Sequence, residues 1–194
     1  MKQIKWLIRL CFVLLFAGCT AVSLPQQALA DFAERPVAFV LINNDGGVNG
    51  AIYKEWRQVV KWAYHFPNYK ITDDGTAQQE VADALRSGAK LNKAMLQAMA
   101  EKSRVDVLVV ARVYELDESM VSGFGFRLDH ETYVRVVADA DLCVYKKDGD
   151  RFLQKRVRER GLHEVANYEK PVETIKWQLS KLVNTMEGRP IIGS

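Results

Sequence analysis

Asp139 and Asp141 are the residues whose type and spacing come nearest to chemistry in this sequence. They stand two apart in a strand-like run, so both side chains point to one side of a sheet. Paired carboxylates of this kind serve acid–base catalysis or hold a metal ion. The run offers no histidine or third acid at useful spacing. A solvated sheet face, or pairing with Arg112 or Arg135 across a ladder, is therefore the expected use of the pair. His163 is the histidine that a hydrolase reading would add to them. His163-Glu164 lacks the second histidine of a zinc helix motif, and His65 and His130 stand apart in sequence.

The other reactive residues read as structural. Cys11 and Cys19 fall in the first thirty residues, which leaves Cys143 alone, unable to form an internal disulfide. Within a strand it is expected as a small buried hydrophobe. Asn43–Gly50, a Gly-bearing turn between a strand and a helix, invites a phosphate reading. Asp45 stands where the dinucleotide fingerprint needs glycine, and no Gly-Lys-Ser/Thr is present. A tight turn with capping by Asn49 or a neighbour is expected instead. Asp73-Asp74-Gly75 lacks the spacing of a calcium loop. No cofactor, metal site or enzymatic activity is expected.

Two segments invite contact with other molecules. Phe124 and Phe126 alternate with glycines in the 117–131 link, either as an exposed contact loop or as a plug at the edge of the core. Arg151, Lys155, Arg156, Arg158 and Arg160 make a basic strand. It reads either as a contact for anionic lipid headgroups or wall polymer, or as an edge whose charges prevent strand-to-strand aggregation.

The elements that must position these residues follow from hydrophobic pattern. Val105–Asp117 is an almost unbroken aliphatic run, suited to a strand buried on both faces in mid-sheet. Val37–Ile42 is a second such strand. A helix follows over Ala51–Phe66, with Ile52, Trp56, Val59, Val60 and Ala63 on one stripe and Pro67 as its stop. Tyr69–Thr72 is a short strand. Thr76 and Gln79 resemble a capping box for a helix over Ala77–Arg86, and Leu91–Ser103 is a further helix. Tyr133–Tyr145 is a strand, Lys147-Asp148-Gly149-Asp150 a hairpin turn, and Arg151–Arg160 the returning strand. Val172, Ile175, Leu179, Leu182 and Met186 mark a final helix opened by Pro171 and closed by Gly188. The reading is α/β: a single mixed sheet of about five strands flanked by three or four helices, in the order β-α-β-α-β-β-β-α.

The first thirty residues are of another kind. Lys2, Lys5 and Arg9 precede a short apolar stretch, and Ala28-Leu29-Ala30 supplies a cleavage pattern at Ala28 and Ala30. Residues 1–30 are expected to be a secretory signal peptide and 31–194 a single α/β domain with a short C-terminal tail. Phe16-Ala17-Gly18-Cys19 also resembles a lipobox, which would make Cys19 a lipidated first residue and the protein a membrane-tethered lipoprotein. The chain has 27 Lys+Arg and 24 Asp+Glu. The signal segment holds three bases and no acid, so the remainder carries 24 of each. A balanced domain argues against nucleic acid as a partner.

Met99–Arg104 running into Val105-Asp106-Val107-Leu108-Val109-Val110, then Ala140-Asp141-Leu142-Cys143-Val144-Tyr145 before Asp148-Gly149, resembles exported bacterial envelope domains of the CsgG-like, LpoB-like and TolB amino-terminal type. Ala111 stands where these usually have glycine, and Phe16 where a lipobox usually has leucine. The resemblance implies their fold and an extracytoplasmic or periplasmic location, brings no catalytic residue, and points to another envelope protein or wall component as partner. Mass spectrometry of the mature amino terminus tests the export reading. A start at Asp31 is expected for a soluble exported protein, an acylated Cys19 for a tethered one, and an intact Met1 counts against both.

Overall fold

The structure, a computed structural model, describes residues 34–44, 48–65, 67–72, 75–122 and 132–189. Strand β1 (Arg35–Asn43) leads into helix α1 (Gly50–Ala63) and the short strand β2 (Tyr69–Ile71). Helices α2 (Gly75–Arg86) and α3 (Lys93–Lys102) follow, then strands β3 (Val107–Ser122), β4 (Thr132–Lys146) and β5 (Arg151–Glu164), and helix α4 (Pro171–Met186). The strands form one mixed sheet in the order β2-β1-β3-β4-β5. β1 runs parallel to β2 and β3, and β4 runs antiparallel to β3 and β5. The expected fold class holds, with α2 and α3 as two helices where the written element order has one.

The aliphatic runs decide this architecture. Val37, Phe39 and Leu41 of β1, with Val107, Val109 and Ala111 of β3, project to one face. There they meet Trp56 and Val60 of α1 and Ile175, Leu179 and Val183 of α4. Ala38 and Val40, with Leu108 and Val110, project to the other face, against Val81 of α2 and Leu96 and Ala100 of α3. Strands apolar on both faces need a helical layer on each side, and the sheet has both.

Local chemistry sets the helix ends. Asn49 Oδ1 accepts from the amides of Ala51 and Ile52, at 2.9 and 3.0 Å, and caps α1. Asn92 Oδ1 does the same for Met95 in α3. Helix α1 ends at Ala63, short of the expected Phe66. Tyr64 leaves helical geometry (ψ 81) and buries its ring edge-on against Tyr69, centroids 5.0 Å apart. Thr76 lies inside α2 and so is not its cap. Gly188, at φ +68, follows α4 in the left-handed region that ends helices.

Two strands outrun their apolar sequence. β3 continues as a ladder to Ser122, past the expected end at Asp117, because Val134 and Val136 of β4 carry the pairing. The register slips between Val113 and Glu115, so Tyr114 occupies a bulge. The hairpin between β4 and β5 forms as expected, with Gly149 at φ +73.

One polar cluster joins the sheet to the far end of the chain. The Lys146 ammonium, on the last residue of β4, donates to Tyr69 Oη at 2.8 Å and to both oxygens of Glu187 at 2.9 and 3.0 Å. Tyr69 in turn donates to Glu187 at 2.9 Å. Burial opposes the Lys146 charge, but the bonds from Tyr69 and Glu187 together outweigh it and raise its pKa above 10.5. The stability this adds is complete below that ordinary value and is lost as pH climbs through the folded one. Glu187→Leu should cost about 3 kcal/mol in urea denaturation, because it strands a buried ammonium. The Lys146→Met/Glu187→Leu double variant should recover most of that loss and decline less steeply than wild type at high pH.

Candidate functional site

The half of the sheet formed by β3, β4 and β5 carries a ladder of ion pairs on the face that also holds Cys143 and Tyr145. β5 is an edge strand, paired with β4 from Arg151 to Glu164 and with no strand on its other side among the described residues. Alternation along β4 turns Asp139 and Asp141 to one side, and Arg156 of β5 sits directly across from Asp141. Arg156 binds Asp141 Oδ2 through Nη1 at 3.0 Å and makes a close ion pair with Asp139 Oδ1 through Nη2, off the line of a hydrogen bond. Its guanidinium lies 4.2 Å from the centroid of the Tyr114 ring, and that of Arg112 lies 4.8 Å from it. The bulge thus places Tyr114 in contact with two guanidiniums. Tyr114 donates to Asp141 at 2.7 Å. Burial, then the Asp141 bond, raises the Tyr114 pKa. Burial disfavours the Arg156 cation, yet Asp141 and Asp139 together hold its pKa above the ordinary value. Arg160 binds Glu115 at 2.6 Å, and Arg135 binds Asp117.

The acid pair is therefore not a solvated face. Asp139 is 7 % exposed, and its main partner is Arg156, not Arg112 or Arg135. His163 faces Val134 across the ladder, an odd number of residues from Asp139 along β4, so it projects from the opposite face of the sheet. Its nearest acid is Glu159, at 3.8 Å. Asp139, Asp141 and His163 do not converge, and none of them lines the clefts described below. Burial pushes the Cys143 thiol up to about 12, which keeps it protonated and unreactive near neutral pH.

The basic strand splits in two. Arg156 and Arg160 are engaged by acids, whereas Arg151, Lys155 and Arg158 are exposed and join no ion pair among the described residues. Arg158 lies directly across from Asp139, yet the carboxylate goes to Arg156. Ala28, Ala30, Cys19, Phe124, Phe126 and His130 lie outside the described residues.

Clefts among the described residues include the following three. One of about 470 Å³ lies at the end of β1, among Asn43, Asn49, Tyr53, Gly75 and Gln78. Gln78 is already committed there to the amide and carbonyl of Leu41, at 3.0 and 2.7 Å, and Asn49 to its own helix. A second, of about 240 Å³, lies beside Arg35, Asp106, Lys146 and Asp148. The third, of about 350 Å³, runs between α1 and α4 and is flanked by Trp62 and Trp177, which are 72 % and 41 % exposed. The sequence reading did not single out these two indoles. The signal was present: Trp62 falls off the Ile52–Trp56–Val60–Ala63 stripe, and Trp177 off the Ile175–Leu179–Leu182 stripe.

No protein-family model matches the chain, and no curated protein matches it. Among solved structures it is similar to a hypothetical protein from Chlamydia trachomatis, with 9% identity and a TM-score of 0.43, covering 80% of this chain and 97% of that one. It is also similar to the lipoprotein GNA1162 from Neisseria meningitidis (13% identity, TM-score 0.35, 79% and 99% covered). A third is the PelC dodecamer from Paraburkholderia phytofirmans (10% identity, TM-score 0.34, 78% and 84% covered). Among the described residues, no helix is long and apolar enough to cross a membrane.

The split within β5 is open to measurement. Arg156→Leu should cost about 2 kcal/mol, because it leaves Asp139 and Asp141 close together without their shared cation. Arg158→Ala, two residues along, should stay within about 0.5 kcal/mol of wild type. Equal losses in chemical denaturation would refute the ladder as described.

Proposed function

We propose that this chain is an exported cell-envelope protein without enzymatic activity, serving as a binding or assembly module for another envelope component. The observation that carries the reading is the use made of its acids. Asp139 and Asp141, the residues best suited to chemistry, are neutralised by Arg156, and His163 stands on the other face of the sheet. A general base needs a free carboxylate or imidazole within reach of a substrate, and this ladder holds its carboxylates in place as a brace. What the described surface leaves unsatisfied is of the kind used in contacts: exposed Trp62 and Trp177, and the unpaired cations Arg151, Lys155 and Arg158.

The basic start, short apolar stretch and Ala28-Leu29-Ala30 of the sequence support export, to the periplasm or another extracytoplasmic compartment. Cys19 in its lipobox-like setting supports a lipid tether as the anchored form of the same protein. The resemblance of Val105–Val110 and Ala140–Tyr145 to CsgG-like, LpoB-like and TolB amino-terminal domains supports a role beside other envelope proteins or the wall.

The test joins localisation, loss of function and capture. The protein should fractionate with the envelope, and its deletion should sensitise cells to detergent or lysozyme. Crosslinking in whole cells should retain a defined envelope component. A cytoplasmic protein, or one whose deletion leaves envelope integrity untouched and which retains no partner, would overturn the proposal.

A further inference from the structure

β5 is a 14-residue strand, paired along its whole length with β4 and with nothing on its outer side among the described residues. Along that edge alternate residues present an unpaired amide and carbonyl, which is a template for one more strand. The three cations that the ion-pair ladder leaves free lie on this strand. Lys155 and Arg151 project from one face of the sheet and Arg158 from the other, since 155 and 158 differ by an odd number. Their common locus is the edge line itself, not either face. A lipid bilayer or a flat anionic polymer sheet would engage one face and miss the cation on the other.

A second copy of the chain fits poorly. Residues opposed across an antiparallel pair share a face, so a copy laid about Val157 would set Arg156 against Arg158 on each side, and one laid about Arg156 would set that residue against itself; like charges opposed across a ladder are unfavourable. A strand carrying carboxylates has the reverse effect.

We propose that the outer edge of β5 is a docking strip for an extended acidic segment of a partner protein, which adds to the sheet as a further strand. Backbone hydrogen bonds supply the attachment. Carboxylates three residues apart, one above and one below the sheet, supply the selectivity by reaching Lys155 and Arg158. The proposal rests on the binding-module reading and names the surface and the partner chemistry that reading leaves open.

The probe is a fluorescent octapeptide, Thr-Val-Glu-Thr-Val-Glu-Thr-Val, titrated against the full chain by anisotropy. Its controls are a peptide with the two glutamates two apart, a backbone N-methylated version of the same charge, and phosphatidylglycerol vesicles. Wild type should bind the first peptide about tenfold more tightly than either peptide control. Charge reversal at Arg151, Lys155 and Arg158 should remove that preference while circular dichroism and melting stay unchanged. The single variants Lys155→Gln and Arg158→Gln, each losing about threefold, serve if the triple variant misfolds. Equal binding of the N-methylated peptide overturns strand addition. Vesicle binding that is lost on charge reversal, with no peptide binding, assigns the strip to an anionic surface and overturns the proposal. If wild type and triple variant retain the same envelope partner in cells, the docking strip fails and the binding-module reading stands. If neither retains one, both fail.

Discussion

A strand whose side chains are apolar on both faces cannot be made stable by one layer of helices, and β1 and β3 are such strands. Val37 to Val40 and Val107 to Ala111 are fully buried, and their alternate residues divide between two separate hydrophobic clusters. Fully burying each valine, leucine or phenylalanine among them contributes about 1.5–3 kcal/mol. That term commits α1 and α4 to one face and α2 and α3 to the other. It also places β1 and β3 next to each other inside the sheet, since either would expose a backbone edge at the rim.

The other half of the sheet obeys a different constraint. β4 continues the buried face with Val134, Val136, Ala138, Ala140 and Leu142, but beyond Cys143 its opposite face has no helix over it among the described residues and turns polar. Carboxylates there are held too deep for water to satisfy alone, so the ladder supplies arginines. The bulge at Tyr114 contributes an aromatic surface for Arg156 and Arg112, and a hydroxyl for Asp141. Chemistry-bearing residue types are thus consumed by structure, and the groups left without a role inside the fold lie at the rim of the sheet and on the outer surface of the helices.

This division accounts for what could be read from sequence. Val105–Asp117, Val37–Ile42 and the stripe on α4 announce themselves by period and composition, because each reports burial that its own segment requires. The Asn49 cap and the Gly149 hairpin are legible because the residues involved are local. The choice of Arg156 over Arg112 as partner for Asp139 and Asp141 was not legible, since both lie across from Asp141 and register alone does not choose between them. The extension of β3 to Ser122 was hidden because its apolar support comes from β4. Thr76 looked like a cap from its neighbours, although α2 begins before it. Tyr69, Lys146 and Glu187 meet from three distant parts of the chain, and no spacing rule connects them.

That last meeting has a kinetic side. Glu187 lies beyond the end of α4, while the groups that donate to it, the Tyr69 hydroxyl and the Lys146 ammonium, sit at the start of β2 and the end of β4. A growing polypeptide that has completed all five strands still holds an uncompensated ammonium at the base of its sheet. The parallel neighbours β1, β2 and β3 add pairings distant in sequence, which slow the search for the native topology. Closure thus waits for the segment synthesised after α4, and a nascent chain stalled within that helix keeps its sheet unlatched.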